Sequence, residues 1–253
     1  EGLPAVPVLG HVASGVLTLH DNHCNATGPA SSLFVKPICG SRGAGTMVWQ
    51  RTESGNFRGL DGKHRTWQEL RRILQNSDCD LVLQPLLINS EDVHDLANGG
   101  LSAARIVTGM NAGGSARCLV ASYKMSWRSQ TTNTLGLSAA VDLPTGRLGR
   151  AYSYRPTCPG FDRHPETGAF IIGRVLAEWK EAVDLACKAH SRLSGYRFLG
   201  WDIAFTTMGV LLLEGNSGWD VTMVQKPQQT PVSAELFAIL QELPEPAFQL
   251  AGL

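Results

Sequence analysis

Short apolar runs bounded by Gly, Pro, Asn and Ser recur along this chain, and such runs read as strands. Val6–Leu9 and Val16–Leu19 come first, followed by a polar loop, Asp21–Ser32. Leu33–Pro37 forms the next strand, a glycine-rich loop follows, and Thr46–Gln50 is its return strand. Thr66 is an N-cap with Glu69 three residues on, so a capping box opens a helix running to Gln75. Asp80–Leu87, Arg105–Thr108, Cys118–Met125 and Leu137–Asp142 read as further strands, with a turn at Pro144 to Gly146. Helical spacing appears at Val175, Leu176, Trp179, Val183, Ala186, Cys187 and His190, predicting a helix over Val175–Ser194 closed by Gly195. Phe198–Thr206 and Val210–Glu214 form a hairpin turning at Met208 and Gly209, and Ser233–Leu240 is a last short helix. Helices and strands mix without regular alternation, which predicts an α+β fold with mainly antiparallel sheets. The boundary between its two sheets falls near Gln84 to Leu87.

Composition narrows the classes. A chain of 253 residues, 43% hydrophobic and 17% charged, has enough apolar surface for one large core or two modest ones. Lys+Arg and Asp+Glu both total 22, so no basic excess draws the chain to nucleic acid or anionic membrane. No apolar stretch approaches a membrane span. Cys24, Cys39, Cys79, Cys118, Cys158 and Cys187 are scattered without a C-x-x-C pair, a usage that fits reduced thiols and a cytoplasmic setting. The chain opens at Glu1 without Met or a signal-like segment, which points to a start inside a longer polypeptide.

Two segments carry chemistry. In the first, Lys36 stands on a strand before a loop containing Gly40, Ser41, Arg42, Gly43 and Gly45. Glycines allow close backbone approach to phosphate, Lys36 supplies a fixed positive charge, and Arg42 supplies a mobile one. The order fits neither a Walker loop nor a Rossmann fingerprint, and a glycine-rich hairpin with an exposed lysine is the competing reading. In the second, Asp202 and Glu214 lie on adjacent antiparallel strands, with Asn216 two residues further. Two carboxylates and an amide oxygen at a strand end suit Mg²⁺, which takes hard oxygen ligands and shares its shell with phosphate. A polar hairpin edge is the alternative, but Leu211 to Leu213 has the composition of a buried strand, where a carboxylate needs a partner.

These two segments together resemble the ATP-grasp superfamily. More narrowly, Gly2 to Pro7, Leu81 to Pro85, Leu101 to Thr108, Asp142 to Gly146 and Gly200 to Phe205 resemble the sugar-transfer associated ATP-grasp group, related to α-L-glutamate ligases. The resemblance covers about Gly2 to Thr222 and implies an ATP-grasp fold, with two α+β subdomains (1–83 and 84–253) clasping ATP. It implies that Lys36 contacts the nucleotide, that Gly40 to Gly45 close over its phosphates, and that Gln84, Pro85, Leu86 and Leu87 form a hinge reading the adenine edge. Glu91 stands where related ligases hold the ribose, with Asn89 and Asp92 as competitors. Arg105 matches an arginine that holds the transferring phosphoryl group, and Lys124 and Asn133 are further contacts. Asp202, Glu214 and Asn216 would hold Mg²⁺. The implied activity is an ADP-forming ligation of a carboxylate to an amine or other nucleophile through an acyl phosphate, in cell-surface polysaccharide or polyglutamate-type synthesis. A small-molecule kinase and a non-catalytic ATP-binding module are the rivals. The superfamily usually has another nucleotide lysine upstream and an N-terminal domain. Residues 1–35 hold no Lys or Arg, so either both lie upstream of this chain or the chain does not catalyse alone. His164, in a polar loop, is an acceptor-side candidate; His190 reads as a packed histidine, and Cys39 lacks a base for nucleophilic work.

Overall fold

The computed structural model of this chain describes residues 2–20, 24–25, 28–39, 43–128, 136–155, 159–193 and 195–241. Its elements in order are β1 (Gly10–Ala13), β2 (Val16–Leu19), β3 (Cys24–Asn25), β4 (Gly28–Pro29), β5 (Leu33–Pro37), β6 (Met47–Arg51), β7 (Phe57–Gly59) and β8 (His64–Arg65). Helix α1 (Trp67–Gln75), β9 (Leu81–Pro85) and a 3-10 turn (His94–Leu96) lead to β10 (Ala103–Met110), β11 (Ala116–Met125), β12 (Leu137–Val141) and β13 (Leu148–Ser153). After α2 (Trp179–Ser191) come β14 (Phe198–Thr206), β15 (Gly209–Asn216), α3 (Thr222–Gln228) and α4 (Ser233–Gln241). No helix among the described residues is long and apolar enough to cross a membrane.

The strands form a seven-stranded sheet, β2-β1-β9-β5-β6-β7-β8, a six-stranded sheet, β13-β12-β11-β10-β14-β15, and the small ribbon β3-β4. Among the described residues the pairings between these strands are all antiparallel, and one isolated parallel bridge joins Ala5 to Leu212 of β15. The fold is therefore the α+β arrangement of two antiparallel sheets that the sequence predicts.

Alternation along each strand assigns its faces. Leu33, Val35, Leu81 and Leu83 of the first sheet pack with Leu70 and Leu74 of α1. That helix begins as its sequence predicts: Glu69 N–H donates to Thr66 Oγ1 at 3.3 Å, and Thr66 N–H donates to the Glu69 carboxylate at 2.8 Å. In the second sheet Ile106, Tyr123, Ala139, Trp201 and Ile203 meet Ala182, Leu185, Ala186 and Ala189 of α2 in the main core. Each fully buried large apolar side chain there contributes about 1.5–3 kcal/mol. On the opposite face of the second sheet Val107 and Val120 pack against Val224 of α3 and Val232.

Two predicted elements differ. Val6–Leu9 is not a strand: Pro7 has no N–H to give a ladder. The segment passes from β15, where Val6 N–H donates to Leu212 O at 3.1 Å, to the first sheet, where Leu9 N–H donates to Leu83 O at 2.8 Å. Helix α2 starts at Trp179 rather than Val175, because the backbone before it is committed to the β12–β13 turn. Leu148 N–H donates to Arg174 O at 2.7 Å and Leu176 N–H to Gly146 O at 3.1 Å. Gly146 (φ 70°) must lack a Cβ, which would stand 2.5 Å from Trp179 Cβ.

The segment after β9 ties the sheets together. Leu86 N–H donates to Ser32 O at 2.8 Å, Thr207 N–H to Ile88 O at 3.1 Å and Ser90 N–H to Phe205 O at 3.0 Å. Asn89 is consumed here, its Nδ2 donating to Gly100 O at 3.0 Å and its Oδ1 accepting Ser102 N–H at 2.9 Å.

Candidate functional site

Register decides which side chains share a face. Arg105 pairs with Asp202, Asp202 with Glu214, and Gly200 with Asn216, so one row of the second sheet carries Arg105, Asp202 and Glu214 side by side. Lys124 joins them from β11, two residues beyond Ser122, the partner of Arg105. A regular hairpin would not have produced this row. Thr206 pairs with Gly209 and Ala204 with Leu211, a count that would put Leu213 opposite Asp202 and turn Glu214 to the core. The register shift between Asp202 and Ile203 absorbs Leu213 as an extra residue and brings Glu214 to the face of Asp202. This is the use of a β-bulge to re-aim a side chain.

Asp202 is the centre of the cluster and only 6% exposed. Its Oδ1 accepts from Arg105 Nε at 2.6 Å, and its Oδ2 accepts from Arg105 Nη2 at 2.9 Å and Lys124 Nζ at 3.0 Å. Burial alone would push this carboxyl up, but Lys124 and Arg105 together bring it down to about 2. Burial works against the Arg105 guanidinium too, yet Asp202, with Glu214 and Asp220 further off, holds its pKa above the ordinary value. Glu214 is exposed, and Asn216 Nδ2 donates to its Oε1 at 3.2 Å, which leaves the Asn216 amide oxygen outside that bond.

The surroundings fix this geometry. Gly200 has to be glycine, because a Cβ there would stand 2.7 Å from Trp219 Cβ and 3.2 Å from Arg105 Cδ. Trp219 thus covers the strand beside Arg105 and packs with Val107 and Val224. Ser138 Oγ donates to Met223 O at 2.8 Å and Lys226 Nζ to Ser153 O at 2.8 Å, which ties α3 over β12 and β13. Ser122 is fully buried next to Arg105, and its hydroxyl has no partner.

The remaining predicted residues form a second group on the first sheet and the segment after it. Lys36 is half-buried on β5 opposite Val82, and Gln84 is opposite Phe34, so alternation puts Lys36 and Gln84 on the face away from α1. Gly43 and Gly45 have φ of 71° and 73°, and Thr46 Oγ1 donates to Gly43 O at 2.9 Å. Gly40, Ser41, Arg42 and Asn133 lie outside the described residues. Pro85 and Leu87 are half-buried, while the Leu86 N–H belongs to Ser32 and is not open to a ligand. Glu91 is exposed, its carbonyl accepting from His94 Nδ1 at 2.6 Å. His164 is buried rather than on an open loop: its Nε2 donates to Ser126 O at 2.8 Å and its Nδ1 accepts Thr167 N–H at 3.3 Å. Nothing in the sequence separates His164 from a surface histidine, because its partner is a backbone carbonyl on another strand end. Asp220 and Trp219 escape sequence reasoning for a similar reason: only the chain reversal after Asn216 brings them to Arg105.

The donor chemistry around Asp202 fits a divalent cation. Among the described residues no three His, Cys, Asp or Glu side chains gather as a metal site; Asp202, Glu214 and Asn216 bring two carboxylates and one amide oxygen to one face of the sheet. All are hard oxygen donors, as Mg²⁺ requires.

Comparison with known proteins places these observations. Among solved structures, N5-carboxyaminoimidazole synthase from Aspergillus clavatus in complex with ADP is 13% identical, with a TM-score of 0.46 over 97% of this chain and 49% of that one. The Staphylococcus aureus N5-carboxyaminoimidazole synthetase complexed with ADP is 9% identical, with a TM-score of 0.45 over 87% and 41%. D-alanine–D-alanine ligase from Bacillus anthracis complexed with ATP is 12% identical, with a TM-score of 0.43 over 96% and 61%. The chain spans about half the length of the first of these structures. No curated protein matches it by sequence. The family model described as sugar-transfer associated ATP-grasp matches residues 7–241, and the chain belongs to that family.

Proposed function

We propose that the chain binds Mg-ATP and uses it as an ADP-forming ligase, joining a carboxylate to an amine or another nucleophile. The observation that carries this reading is the convergence of Arg105 and Lys124 on buried Asp202, with Glu214 opposite. Asp202, Glu214 and Asn216 would hold Mg²⁺, which when bound neutralises phosphate charge. Arg105 offers a planar fork to the transferring phosphoryl group and Lys124 a second positive charge. Lys36 and the loop Gly40 to Gly45, with Ser41 and Arg42, would meet the phosphates from the first sheet. Gln84, Pro85 and Leu87 would line the adenine edge and Glu91 the ribose. On this reading residues 1–83 and 84–253 are the two halves of the clasp.

In the first step an oxygen of the substrate carboxylate bonds to the γ-phosphorus as the bond to the ADP oxygen breaks. In the second, the nucleophile's lone pair attacks the acyl carbon, phosphate leaves with the bonding pair, and the nucleophile's proton passes to solvent. Arg105 and Lys124 serve by positioning and by charge, which is most of what phosphoryl transfer asks of a protein. A place in cell-surface polysaccharide or polyglutamate-type synthesis is the setting we assign to the ligation, and the sugar-transfer association in the family description agrees with the first of these. Scattered free cysteines support a cytoplasmic setting.

Calorimetry with Mg-ATP, followed by ADP release with pairs of carboxylates and amines, tests the reading. Glu214 is exposed, so Glu214→Gln keeps the fold and is expected to weaken Mg-ATP binding about tenfold or more, a loss of about 1.4 kcal/mol. Wild-type affinity in that variant overturns the metal assignment, and a wild-type chain that binds no ATP overturns the function.

A further inference from the structure

Three carboxylates act on the charge of Arg105, and of Asp202, Glu214 and Asp220 only the last has no place in the set around the metal. From its position we infer that Asp220 receives the nucleophile as a primary ammonium and takes its proton in the ligation step. The inference rests on the ligase reading above and names the class of its nucleophile. After Asn216 the chain reverses, and Trp219 lies back on β14. A Cβ on Gly200 would stand 2.7 Å from Trp219 Cβ and 3.2 Å from Arg105 Cδ, so Trp219 and the Arg105 stem flank one backbone position. Asp220, the next residue, thereby comes to the Arg105 side of the cluster. Trp219 is half-buried and Asp220 exposed, so this carboxylate stands at the open edge of a site whose Arg105, Lys124 and Asp202 are nearly closed off. Its Oδ1 accepts Thr222 N–H at 2.9 Å, and its Oδ2 carries no hydrogen bond among the described residues.

The charges nearby decide what Asp220 can do. Arg105 and Lys124 occupy Asp202, and Glu214 is assigned to the metal. A nucleophile approaching an acyl phosphate here meets two cationic side chains and a divalent cation, all of which repel an ammonium. Asp220 is the anion left to attract it, and amines are charged at neutral pH. Asp220 Oδ2 takes one proton from the ammonium and passes it to water, which frees the nitrogen lone pair to bond to the acyl carbon. The carbon–oxygen bond to phosphate then breaks, and phosphate leaves with the electron pair. A second proton, shed to solvent as the amide forms, balances the one that the released phosphate takes up. A hydroxyl nucleophile gives Asp220 no charge to hold, and a carboxylate is a weak base for it.

Capping is the other role open to Asp220, since its bond to Thr222 N–H opens α3. Asn caps a helix as well as Asp does, so Asp220→Asn keeps that bond and loses only the base. The probes are hydroxylamine, which is uncharged at pH 7, and methylamine, which has the same size and arrives as ammonium. Each is supplied with Mg-ATP and the carboxylates of the ADP-release experiment, and hydroxamate and methylamide are measured. In Asp220→Asn, methylamide formation is expected to fall about a hundredfold while hydroxamate formation and Mg-ATP affinity stay within about twofold of wild type. Asp220→Glu is expected to restore part of the methylamide rate. Methylamide formation at the wild-type rate in Asp220→Asn leaves only the cap and overturns the inference. Equal loss of both products also overturns it, because Asp220 would then act before the nucleophile arrives. A wild-type chain that makes hydroxamate but no methylamide takes another class of nucleophile, and the inference falls while the ligase reading stands. If wild type makes neither product and releases no ADP, the ligase reading itself falls.

Discussion

The two faces of the six-stranded sheet bury polar side chains on opposite terms. Under α2 the polar groups are neutral and close on one another. Trp201 Nε1 donates to Thr108 Oγ1 at 2.9 Å, Thr108 Oγ1 donates to His190 Nδ1 at 2.7 Å, and His190 Nε2 donates to Tyr196 O at 3.0 Å. A carbonyl only accepts, so the Tyr196 contact fixes the histidine tautomer and with it the direction of the whole chain. On the other face the buried groups are ions, Arg105, Lys124 and Asp202. The same strands serve both, since Ile106 points to the core where Arg105 points to the site, and Trp201 does so where Asp202 does not. A closed neutral network has nothing left to offer a ligand. An ionic cluster can change partners, and that is the physical difference between a stitch and a site.

The sharpest break of this comparison is Asp202→Ala. It leaves Arg105 and Lys124 buried without their carboxylate, and urea unfolding should show a loss of about 3–5 kcal/mol together with loss of Mg-ATP binding. Replacing the whole cluster, with Arg105→Met, Lys124→Met and Asp202→Leu in one chain, should return stability to within about 2 kcal/mol of wild type. Binding should stay absent. A triple variant as unstable as Asp202→Ala would mean that the ions hold the fold. Next in size is Thr108→Val on the neutral face. It strips Trp201 Nε1 and His190 Nδ1 of a partner, each worth about 1–3 kcal/mol when left buried and unsatisfied. Nucleotide affinity should not change, and a tenfold loss would show that the two faces are not independent.

The elements that carry this contrast are legible in the sequence, and the contrast itself is not. The capping box at Thr66, the hairpin of β14 and β15, and the α+β class follow from local signals, and each of them formed. Local pattern also points to Asp202, Glu214 and Asn216, but only the bulge in β15 brings Glu214 to the face of Asp202. An unbulged hairpin turns Glu214 inward, and no residue of Leu211 to Leu213 marks which one the ladder will leave out. The ion cluster itself was out of reach, because Arg105 and Asp202 stand 97 positions apart and meet only through the register of β10 on β14. Val175 misled for the same reason, its helical spacing being overruled by the turn that claimed its backbone. Local chemistry writes the elements, and long-range register writes the site.

Acid is a gentler way to break the ionic face. Asp202 titrates at about 2 instead of the ordinary 3.8. A depressed carboxyl contributes stability that is complete above 3.8 and is lost as pH falls through 2. In chelator, urea unfolding between pH 5 and pH 2 should therefore show a decline of about 2 kcal/mol that is missing from Asp202→Asn. The same decline in both would assign it to other carboxylates.

Ser122→Ala is the smallest change and the finest probe. The hydroxyl is fully buried beside Arg105 and has no partner. Removing an unsatisfied hydroxyl takes away a desolvation cost and leaves no broken bond, so stability should be unchanged or rise by up to about 1 kcal/mol. If the hydroxyl serves neither face, Mg-ATP affinity and ADP release stay at wild-type values. If ADP release drops tenfold at unchanged stability, Ser122 belongs with Arg105 and Lys124, and the ionic face has a neutral member whose partner is the ligand.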